Sequence, residues 1–455
     1  MKKIAVILFL LNIYGFTAYS QQKYLISGPM LGYVEHREVA IWVEPALGVQ
    51  TLEITYFPEL KPDKKKAQKI TIDKINPKPV KFVLKELEIG TKYIYVIKAD
   101  KKLVTFNYPL TFKTRFLWEF RQPNPPDFSF MIGSCAYFND SLFDRPGKGY
   151  GSDPSIFKSM AKSKADFMIW GGDNFYYREP DFSSVSGLAY RQKHDRAVPE
   201  MQELLTTQAN YAIWDDHDYG PNDADRGFEF KQESRELFKM YWANKTVGKN
   251  EQGIYSKVSF SDVDIFLLDD RYFRAPNRMP DSVNGKPNAE KVMWGKEQME
   301  WLKDQLITSR ATFKIIVNGN QFLDKLNKYE GLTFFPSEYQ EFTSFIKNSG
   351  ISGVVLLSGD RHYTQLQKHT QITTYPIYEF TCSPLTSGVT NLKPDHPEFN
   401  NPDRVKGTLT MEQNFGLIKV SGSKSDRNLT IETKDKNGEL KWSHVINEKE
   451  LKKSK

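Results

Sequence analysis

The stretch that decides the fold is residues 167–177, FMIWGGDNFYY. Its first four residues form an unbroken apolar run, which predicts a strand buried on both faces. The run ends at Gly171-Gly172, where glycine lets the chain turn sharply, and the acidic Asp173 follows at once. A buried strand that ends in a turn and a carboxylate is typical of α/β folds, in which ligands bind beyond the carboxyl ends of strands.

Short apolar runs of the same kind occur on both sides of this stretch. Between them lie helical stretches at 226–242, 289–307 and 336–348. Alternating strands and helices predict an α/β domain over residues 127–450. The predicted buried strands are Phe128–Ile132, Phe167–Trp170, Tyr211–Trp214, Ile265–Leu268, Phe313–Val317 and Val354–Leu357.

The C-terminal part of the chain returns to strands. Residues 416–420 and 429–433 alternate between apolar and polar side chains, and Asn437-Gly438 is a hairpin signal. We expect these strands to complete a sheet of the same domain.

Residues 23–115 predict a small all-β domain. Residues 39–43 and 52–56 alternate in the strand period, and short strands at this spacing fit a β-sandwich. The segment 87–93 resembles the late-strand pattern of fibronectin type III domains. Prolines at 123, 125 and 126 mark the boundary that follows, because proline removes a backbone donor and favours extended linkers.

The composition excludes several classes of protein. An aromatic content of 14% in 455 residues argues against general disorder. The formal charge of +7 is spread along the chain, and no block of basic residues suggests a nucleic-acid partner. Two cysteines cannot make a disulfide scaffold.

Residues 1–20 predict a cleaved secretory signal peptide. Lys2-Lys3 precede the apolar run 4–11, and Ala18-Tyr19-Ser20 places small residues where a signal peptidase cuts. The run is short for a membrane span, so no transmembrane segment is expected after cleavage. The signal lacks twin arginines. The prediction is a periplasmic or secreted protein, in which Cys135 and Cys382 could in principle pair.

The polar residues of interest stand just beyond predicted strand ends. Together they offer thiol, carboxylate, phenol, amide and imidazole groups, which is an inventory of metal ligands. A carboxylate such as Asp173 can bridge two cations, whereas thiol and phenol ligands must lose their protons. The strand-end segments are Ser134-Cys135, Gly172–Tyr176, Trp214–Asn222 and Ser358–His362.

These four segments, with Leu268–Arg271, resemble the PhoD-like alkaline phosphatase family of calcineurin-like metallophosphoesterases. The resemblance covers roughly residues 25–440. It implies a four-layer αββα sandwich after the β-rich domain, and Fe³⁺ with Ca²⁺ as cofactors; Zn²⁺ or Mn²⁺ are alternatives. The metal ligands that the resemblance implies are Cys135, Asp173, Tyr176, Asn222, Asp360 and His362.

Several assignments stay open at this point. The ligand in the third segment is Asp216, Asp218 or Asn222. Asp216 and Asp218 flank His217 and would favour its charged form, which suits a phosphate ligand or a general acid. Instead of binding a metal, Cys135 could pack in the core as a small apolar residue, or form a disulfide with Cys382. Arg271 and Arg361 could bind phosphate through their guanidinium groups, and a surface ion pair is the alternative role for each. The expected catalytic residues are His217, Asp216, Arg271 and Arg361.

The predicted function is hydrolysis of phosphate esters by attack of a metal-activated hydroxide on phosphorus. One alternative is a phosphodiesterase acting on phospholipids, teichoic-acid-like polymers or nucleotides. Another is a cell-surface binding protein without catalysis. We expect a phosphate ester as the ligand and a monomeric chain.

Overall fold

The computed structural model describes residue 21 and residues 23–452 of the chain. The predicted signal peptide, residues 1–20, lies outside the described residues. Within the described part, no helix combines the length and the apolar content that crossing a membrane requires.

The first part of the chain forms two antiparallel sheets. Its strands are β1 (Leu25–Val34), β2 (Val39–Pro45), β3 (Thr51–Pro58), β4 (Lys66–Thr71), β5 (Val80–Leu84), β6 (Lys92–Ala99), β7 (Lys102–Val104) and β8 (Thr111–Lys113). One sheet has the order β1-β2-β5 and the other the order β4-β3-β6-β7, with β8 beside β6. Buried side chains alternate along the whole of β3, as in a strand with one face on a core. The predicted all-β region is confirmed.

The chain folds into two compact units. Among the described residues, the first contains those up to Leu117 together with Lys193–Asn210 and Met240–Ala243, and the second contains the rest. The short segment 193–210 joins the first unit through buried hydrogen bonds. Ser27 Oγ donates to the carbonyl of Arg196 at 2.9 Å, and Asn210 Nδ2 donates to the carbonyl of Leu31 at 3.0 Å. The predicted domains, residues 23–115 and 127–450, had assigned both Lys193–Asn210 and Met240–Ala243 to the larger domain.

The second unit is built on two six-stranded sheets. Its remaining strands are β9 (Phe128–Gly133), β10 (Phe167–Gly171), β11 (Ala209–Ile213), β12 (Ser256–Phe260), β13 (Val263–Leu267), β14 (Ser282–Val283), β15 (Lys286–Pro287), β16 (Phe313–Val317), β17 (Val354–Ser358), β18 (Gln365–His369), β19 (Ile377–Thr381), β20 (Asn414–Ser421), β21 (Asn428–Asp435) and β22 (Leu440–Asn447). The sheet orders are β11-β10-β9-β20-β21-β22 and β12-β13-β16-β17-β19-β18. Strand β20 runs antiparallel to β9, which confirms that the C-terminal strands complete a sheet of this domain.

The described residues also form helices. They are α1 (Ile156–Lys162), α2 (Glu179–Phe182), α3 (Val185–Arg196), α4 (Gln202–Thr207), α5 (Asp216–Tyr219), α6 (Lys231–Tyr241), α7 (Gly295–Thr308) and α8 (Pro336–Asn348). Phe157 of α1 packs on Trp170 of β10 with ring centroids 5.9 Å apart. The three helical stretches predicted from the sequence correspond to α6, α7 and α8.

The two large sheets pack face to face. Phe128 of β9 meets Phe260 of β12 with ring centroids 4.7 Å apart. A Cβ added to Gly416 of β20 would lie 2.6 Å from the Phe380 ring of β19, so this interface needs a residue without a side chain. The predicted αββα architecture is confirmed.

Parallel pairing brings the strand ends to one edge. Gly133 at the end of β9 pairs with Trp170 near the end of β10. Beyond the strands, the Cys135 N–H donates to the carbonyl of Gly172 at 3.3 Å. The segments that follow β9 and β10 therefore continue side by side into the candidate site.

Candidate metal centre

Four strand-end side chains meet in one buried cluster. The Cys135 thiol lies 3.7 Å from Asp173 Oδ2, and the Tyr176 hydroxyl donates to the same Oδ2 at 3.0 Å. The Tyr176 hydroxyl is also 3.1 Å from His362 Nε2. Cys135 and His362, which lie far apart in the chain, thus share one cluster centred on Asp173.

The backbone at four of the predicted ligands has left-handed conformations. The φ angles are 60° at Cys135, 52° at Asp173, 67° at Asp360 and 58° at His362. Such values are uncommon for residues other than glycine and concentrate at functional sites. The fold therefore holds the backbone at these residues in a conformation that local preference alone would not favour.

Two glycines make room for the cluster in different ways. Gly172 has a φ of 97°, which lets the chain turn immediately before Asp173. Gly359 instead allows close packing, because a Cβ there would lie 2.4 Å from Ser134 Oγ. Substituting either glycine would displace the strand ends that carry the ligands.

The cluster concentrates acidic groups away from water. Burial raises the pKa of the Cys135 thiol well above its usual value, and the Asp173 carboxylate raises it further. Burial also raises the pKa of Asp173, as do the neighbouring carboxylates of Asp216, Asp218 and Asp360. A set of acids that destabilise one another's charged forms is well suited to a compensating cation.

Asp360 supplies a second observation that fits a metal. Its Oδ2 atom is buried and has no hydrogen-bond partner among the described residues. Burial raises the pKa of this carboxyl to about 7. Buried polar atoms without partners are rare in folded proteins, and a bound ion is one way in which such an atom is satisfied.

The potential ligand atoms fall into three overlapping groups. Within each group the atoms lie within 4.8 Å of one another. Asp173 belongs to two of the groups, so its carboxylate stands where it could bridge two cations. The groups are Cys135–Asp173–His362, Asp173–Asp216–His217 and Asp215–Asp216–Glu330.

The three candidates of the third segment have different environments. Asp218 accepts the backbone N–H of Asp215 at 2.7 Å and that of Asn174 at 3.1 Å, so it closes the start of α5. Asp216 belongs to two of the ligand groups. Asn222 is exposed in the turn after α5. This geometry favours Asp216 as the ligand, and the assignment to Asn222 stays a prediction.

His217 lies against the cluster and is partly open to solvent. Its ring contacts that of Tyr176 at a tilt of 34°, with centroids 4.2 Å apart, and its backbone N–H donates to Asp173 Oδ1 at 3.2 Å. Burial lowers the pKa of His217, and the Asp216 carboxylate offsets only part of this effect. Of the two flanking carboxylates, Asp216 lies 3.9 Å from His217 Nε2 and favours the charged imidazole as predicted, whereas Asp218 accepts backbone N–H groups, and burial outweighs the effect of Asp216.

Arg271 is fully buried and bound on all sides. Its Nε donates to Asp215 Oδ1 at 2.6 Å, and its Nη1 donates to Glu330 Oε1 at 3.3 Å. Nη1 also donates to the carbonyl of Ala224 at 3.3 Å. The prediction that Arg271 is a phosphate donor is therefore corrected: its guanidinium neutralises the carboxylates behind the cluster. The surface ion pair considered as the alternative is also wrong, because the side chain is 0% exposed.

Replacing this buried arginine tests its structural role. Arg271→Met should lower the free energy of unfolding of the metal-free protein by about 4 kcal/mol, because the buried carboxylates of Asp215 and Glu330 each lose a charged partner. Urea unfolding followed by circular dichroism measures the change. Arg145→Met, at an exposed position, is the control. If Arg271→Met lowers the free energy of unfolding no more than Arg145→Met does, the structural role of Arg271 is contradicted.

Arg361 is held differently. Its Nη2 donates to both carboxylate oxygens of Glu398, at 2.8 and 2.7 Å. The Nε atom is buried and has no hydrogen-bond partner. The pair with Glu398 is buried, not a surface pair, and a phosphate contact through Arg361 stays a prediction.

Both cysteines are free and buried. The Cys382 thiol faces the carbonyl of Ile132 at 3.5 Å, and burial raises its pKa to about 12. Cys382 thus packs in the core, whereas the Cys135 thiol faces Asp173.

Sequence reasoning missed three residues that shape the site. Asp215 and Glu330 hold Arg271, and Tyr150 reaches His362 with its hydroxyl 2.9 Å from Nδ1. Asp215 stands in the Asp-Asp-His part of the third segment, so its position was a signal. Glu330 and Tyr150 lie in loops and carry no local pattern.

The fold and the centre together define a metallophosphoesterase-type protein. Residues 130–429 match the model of the PhoD-like phosphatase family, and the chain belongs to that family. The predicted membership is confirmed, and the predicted class, a phosphoric ester hydrolase, agrees with it.

Individual relatives are more distant. The chain is 23% identical over 320 residues to "Alkaline phosphatase D" of Bacillus subtilis (strain 168), a match that covers 58% of this chain and 52% of the relative. The chain thus matches about half the length of that curated relative.

Two solved structures share the fold. A structure of PhoD superposes with a TM-score of 0.74 at 15% identity, covering 93% of this chain and 89% of that one. The purple acid phosphatase PPD1 from yellow lupin (Lupinus luteus) seeds has a TM-score of 0.63 at 12% identity, with coverages of 92% and 74%.

Proposed function

We propose that this protein hydrolyses phosphate esters at a polynuclear metal centre held by Cys135, Asp173, Tyr176, Asp360 and His362. The observation that carries the proposal is the buried meeting of a thiol, a carboxylate, a phenol and an imidazole around Asp173. Membership in the PhoD-like phosphatase family supports the same reaction class.

The donor set suggests which cations would bind. Thiol and phenol groups beside an imidazole suit a transition metal, for which we propose Fe³⁺, with Zn²⁺ or Mn²⁺ as alternatives. The oxygen-rich side, with Asp173 and Asp216, suits Ca²⁺. When bound, such cations neutralise charge on a phosphoryl group and lower the pKa of water.

The protein's own residues prepare the site in three ways. Burial raises the pKa of Cys135 and of Asp173, and neighbouring carboxylates raise both further, so a bound cation would favour their ionised forms. Arg271 offsets the charge of the carboxylates on the far side. His217, with a quarter of its side chain exposed, stands where its imidazole can donate a hydrogen bond to a bound phosphoryl group.

We further propose a periplasmic or secreted location, which rests on the composition of residues 1–20. An extracytoplasmic phosphatase would meet phosphate esters outside the cell. Sequencing the N-terminus of the mature protein from its host should find the chain starting near Gln21; an intact Met1 would contradict this location.

Hydrolysis of p-nitrophenyl phosphate by the purified protein, before and after a chelator, tests the function. We expect turnover that falls at least about a hundredfold on metal removal and returns when metal is added back. Bis-p-nitrophenyl phosphate in parallel assays separates the phosphodiesterase alternative, which predicts faster diester cleavage. Absence of turnover on both substrates by metal-loaded, folded protein would reject the proposal and favour a binding protein without catalysis.

A further inference from the structure

Tyr150 stands on the solvent side of the metal centre. It lies in a glycine-rich loop, residues 146–151, and its side chain is 48% exposed. Its hydroxyl nevertheless lies 2.9 Å from Nδ1 of His362. No motif of the sequence pointed to this contact.

The two nitrogens of His362 face different phenols. Nε2 points into the cluster, 3.1 Å from the Tyr176 hydroxyl, whereas Nδ1 points outward to Tyr150. Ser387 Oγ lies farther from Nδ1, at 3.5 Å. Tyr150 is therefore the nearer hydroxyl on the outward side of this imidazole.

This arrangement bears on the position of the imidazole proton. A histidine binds a cation through a nitrogen that carries no proton, and the other nitrogen then donates a hydrogen bond. For Nε2 to be a ligand, the proton must sit on Nδ1, where the Tyr150 oxygen can accept it. The contact would favour this tautomer and restrain the rotation of the ring.

The surrounding fold holds Tyr150 in place despite its exposure. Its ring meets Tyr137 edge-on with centroids 5.0 Å apart. A Cβ on Gly388 would lie 2.7 Å from the Tyr150 ring, so glycine at that position leaves room for it. The ring can thus remain in place when only its hydroxyl is removed.

We propose that Tyr150 is a positioning residue that holds the proton on Nδ1 of His362, keeps Nε2 aimed at the metal, and so strengthens metal binding. This inference rests on the proposed function insofar as His362 is a ligand. It assigns Tyr150 no contact with substrate.

Tyr150→Phe tests the inference, because it deletes the hydroxyl and keeps the ring. Co²⁺ alone, titrated into metal-free full-length protein and followed by thiolate-to-cobalt absorption, reports binding at the Cys135 side. We expect the dissociation constant to rise by about 10- to 100-fold, the typical cost of losing a partner of a ligating histidine. The thermal midpoint of the metal-free variant should equal that of the parent, which separates positioning from a structural role.

Tyr329→Phe is the matched control. Tyr329 is also exposed, and its ring lies 5.0 Å from the guanidinium of Arg361, next to His362 in the chain. Removing the hydroxyl of Tyr329 should leave the affinity of the protein for Co²⁺ unchanged. A Tyr150→Phe variant that binds Co²⁺ within about twofold of the parent would overturn the inference. A parent protein that binds Co²⁺ normally but hydrolyses no phosphate ester would reject the proposed function and leave the inference on Tyr150 standing.

Discussion

Asp173→Asn is expected to lower kcat/KM for p-nitrophenyl phosphate by roughly a thousandfold, equivalent to about 4 kcal/mol of transition-state stabilisation. Asp173 is the member common to two of the three ligand groups. Its Oδ2 faces the Cys135 thiol and the Tyr176 hydroxyl, and its Oδ1 accepts the backbone N–H of His217. An amide in this position has one oxygen fewer and no negative charge, so it cannot bridge two cations.

The fold should tolerate this substitution. Asp173 has a φ of 52°, and asparagine is among the residues that accept left-handed backbone most readily. Asparagine also preserves the side-chain volume. Asp426→Asn is the control, because Asp426 is an exposed carboxylate paired with Lys449 at 2.7 Å. Undiminished turnover by folded Asp173→Asn protein would reject the assigned centre.

His217→Gln is expected to lower kcat by about a hundredfold. The burial that lowers the pKa of His217 keeps its imidazole mostly neutral at pH 7, so it would act as a hydrogen-bond donor to the phosphoryl group. A donor that orients phosphate without transferring a proton affects good and poor leaving groups alike. The loss should therefore be the same for p-nitrophenyl phosphate and phenyl phosphate.

Comparing the two leaving groups distinguishes hydrogen-bond donation by His217 from proton transfer by His217. A much larger loss with phenyl phosphate would show that His217 protonates the leaving oxygen, and would overturn the assignment of a neutral donor. A variant with the parent's kcat on both substrates would remove His217 from the reaction. His444→Gln, in β22 away from the centre, is the control for replacing a partly buried histidine.

Much of the fold follows from local patterns. An apolar run of four or five residues, such as Phe167–Trp170, can hardly be anything but a buried strand in a chain of this composition. Parallel pairing then brings the strand ends to one edge, which is why Cys135 and Asp173 could be expected to meet. Helix α8 begins and ends at the predicted residues, Pro336 and Asn348. Its start could be predicted because proline suits the first turn of a helix.

The roles of neighbouring acidic residues could not be predicted in the same way. Asp216 and Asp218 lie in one helical turn, and the sequence does not reveal which carboxylate points outward. In the fold, Asp215 and Asp218 cap α5 reciprocally, whereas Asp216 belongs to two of the ligand groups. Capping geometry, not composition, made the distinction.

Long-range contacts explain the remaining differences. Arg271 was expected to bind phosphate because a guanidinium can donate two hydrogen bonds to it, and because the segment Leu268–Arg271 resembles one of the family. Its actual partner Glu330 is 59 residues away in a loop, and the resulting pair is buried. Tyr150 was missed for the same reason, since 212 residues separate it from His362.

Elemental analysis of native protein, purified without chelators, is the most direct test of the account, because everything proposed depends on cations bound at Asp173. We predict at least two bound cations per chain, one of them a transition metal, and none retained at this centre by Asp173→Asn. Native, folded protein that contains no transition metal would contradict the account.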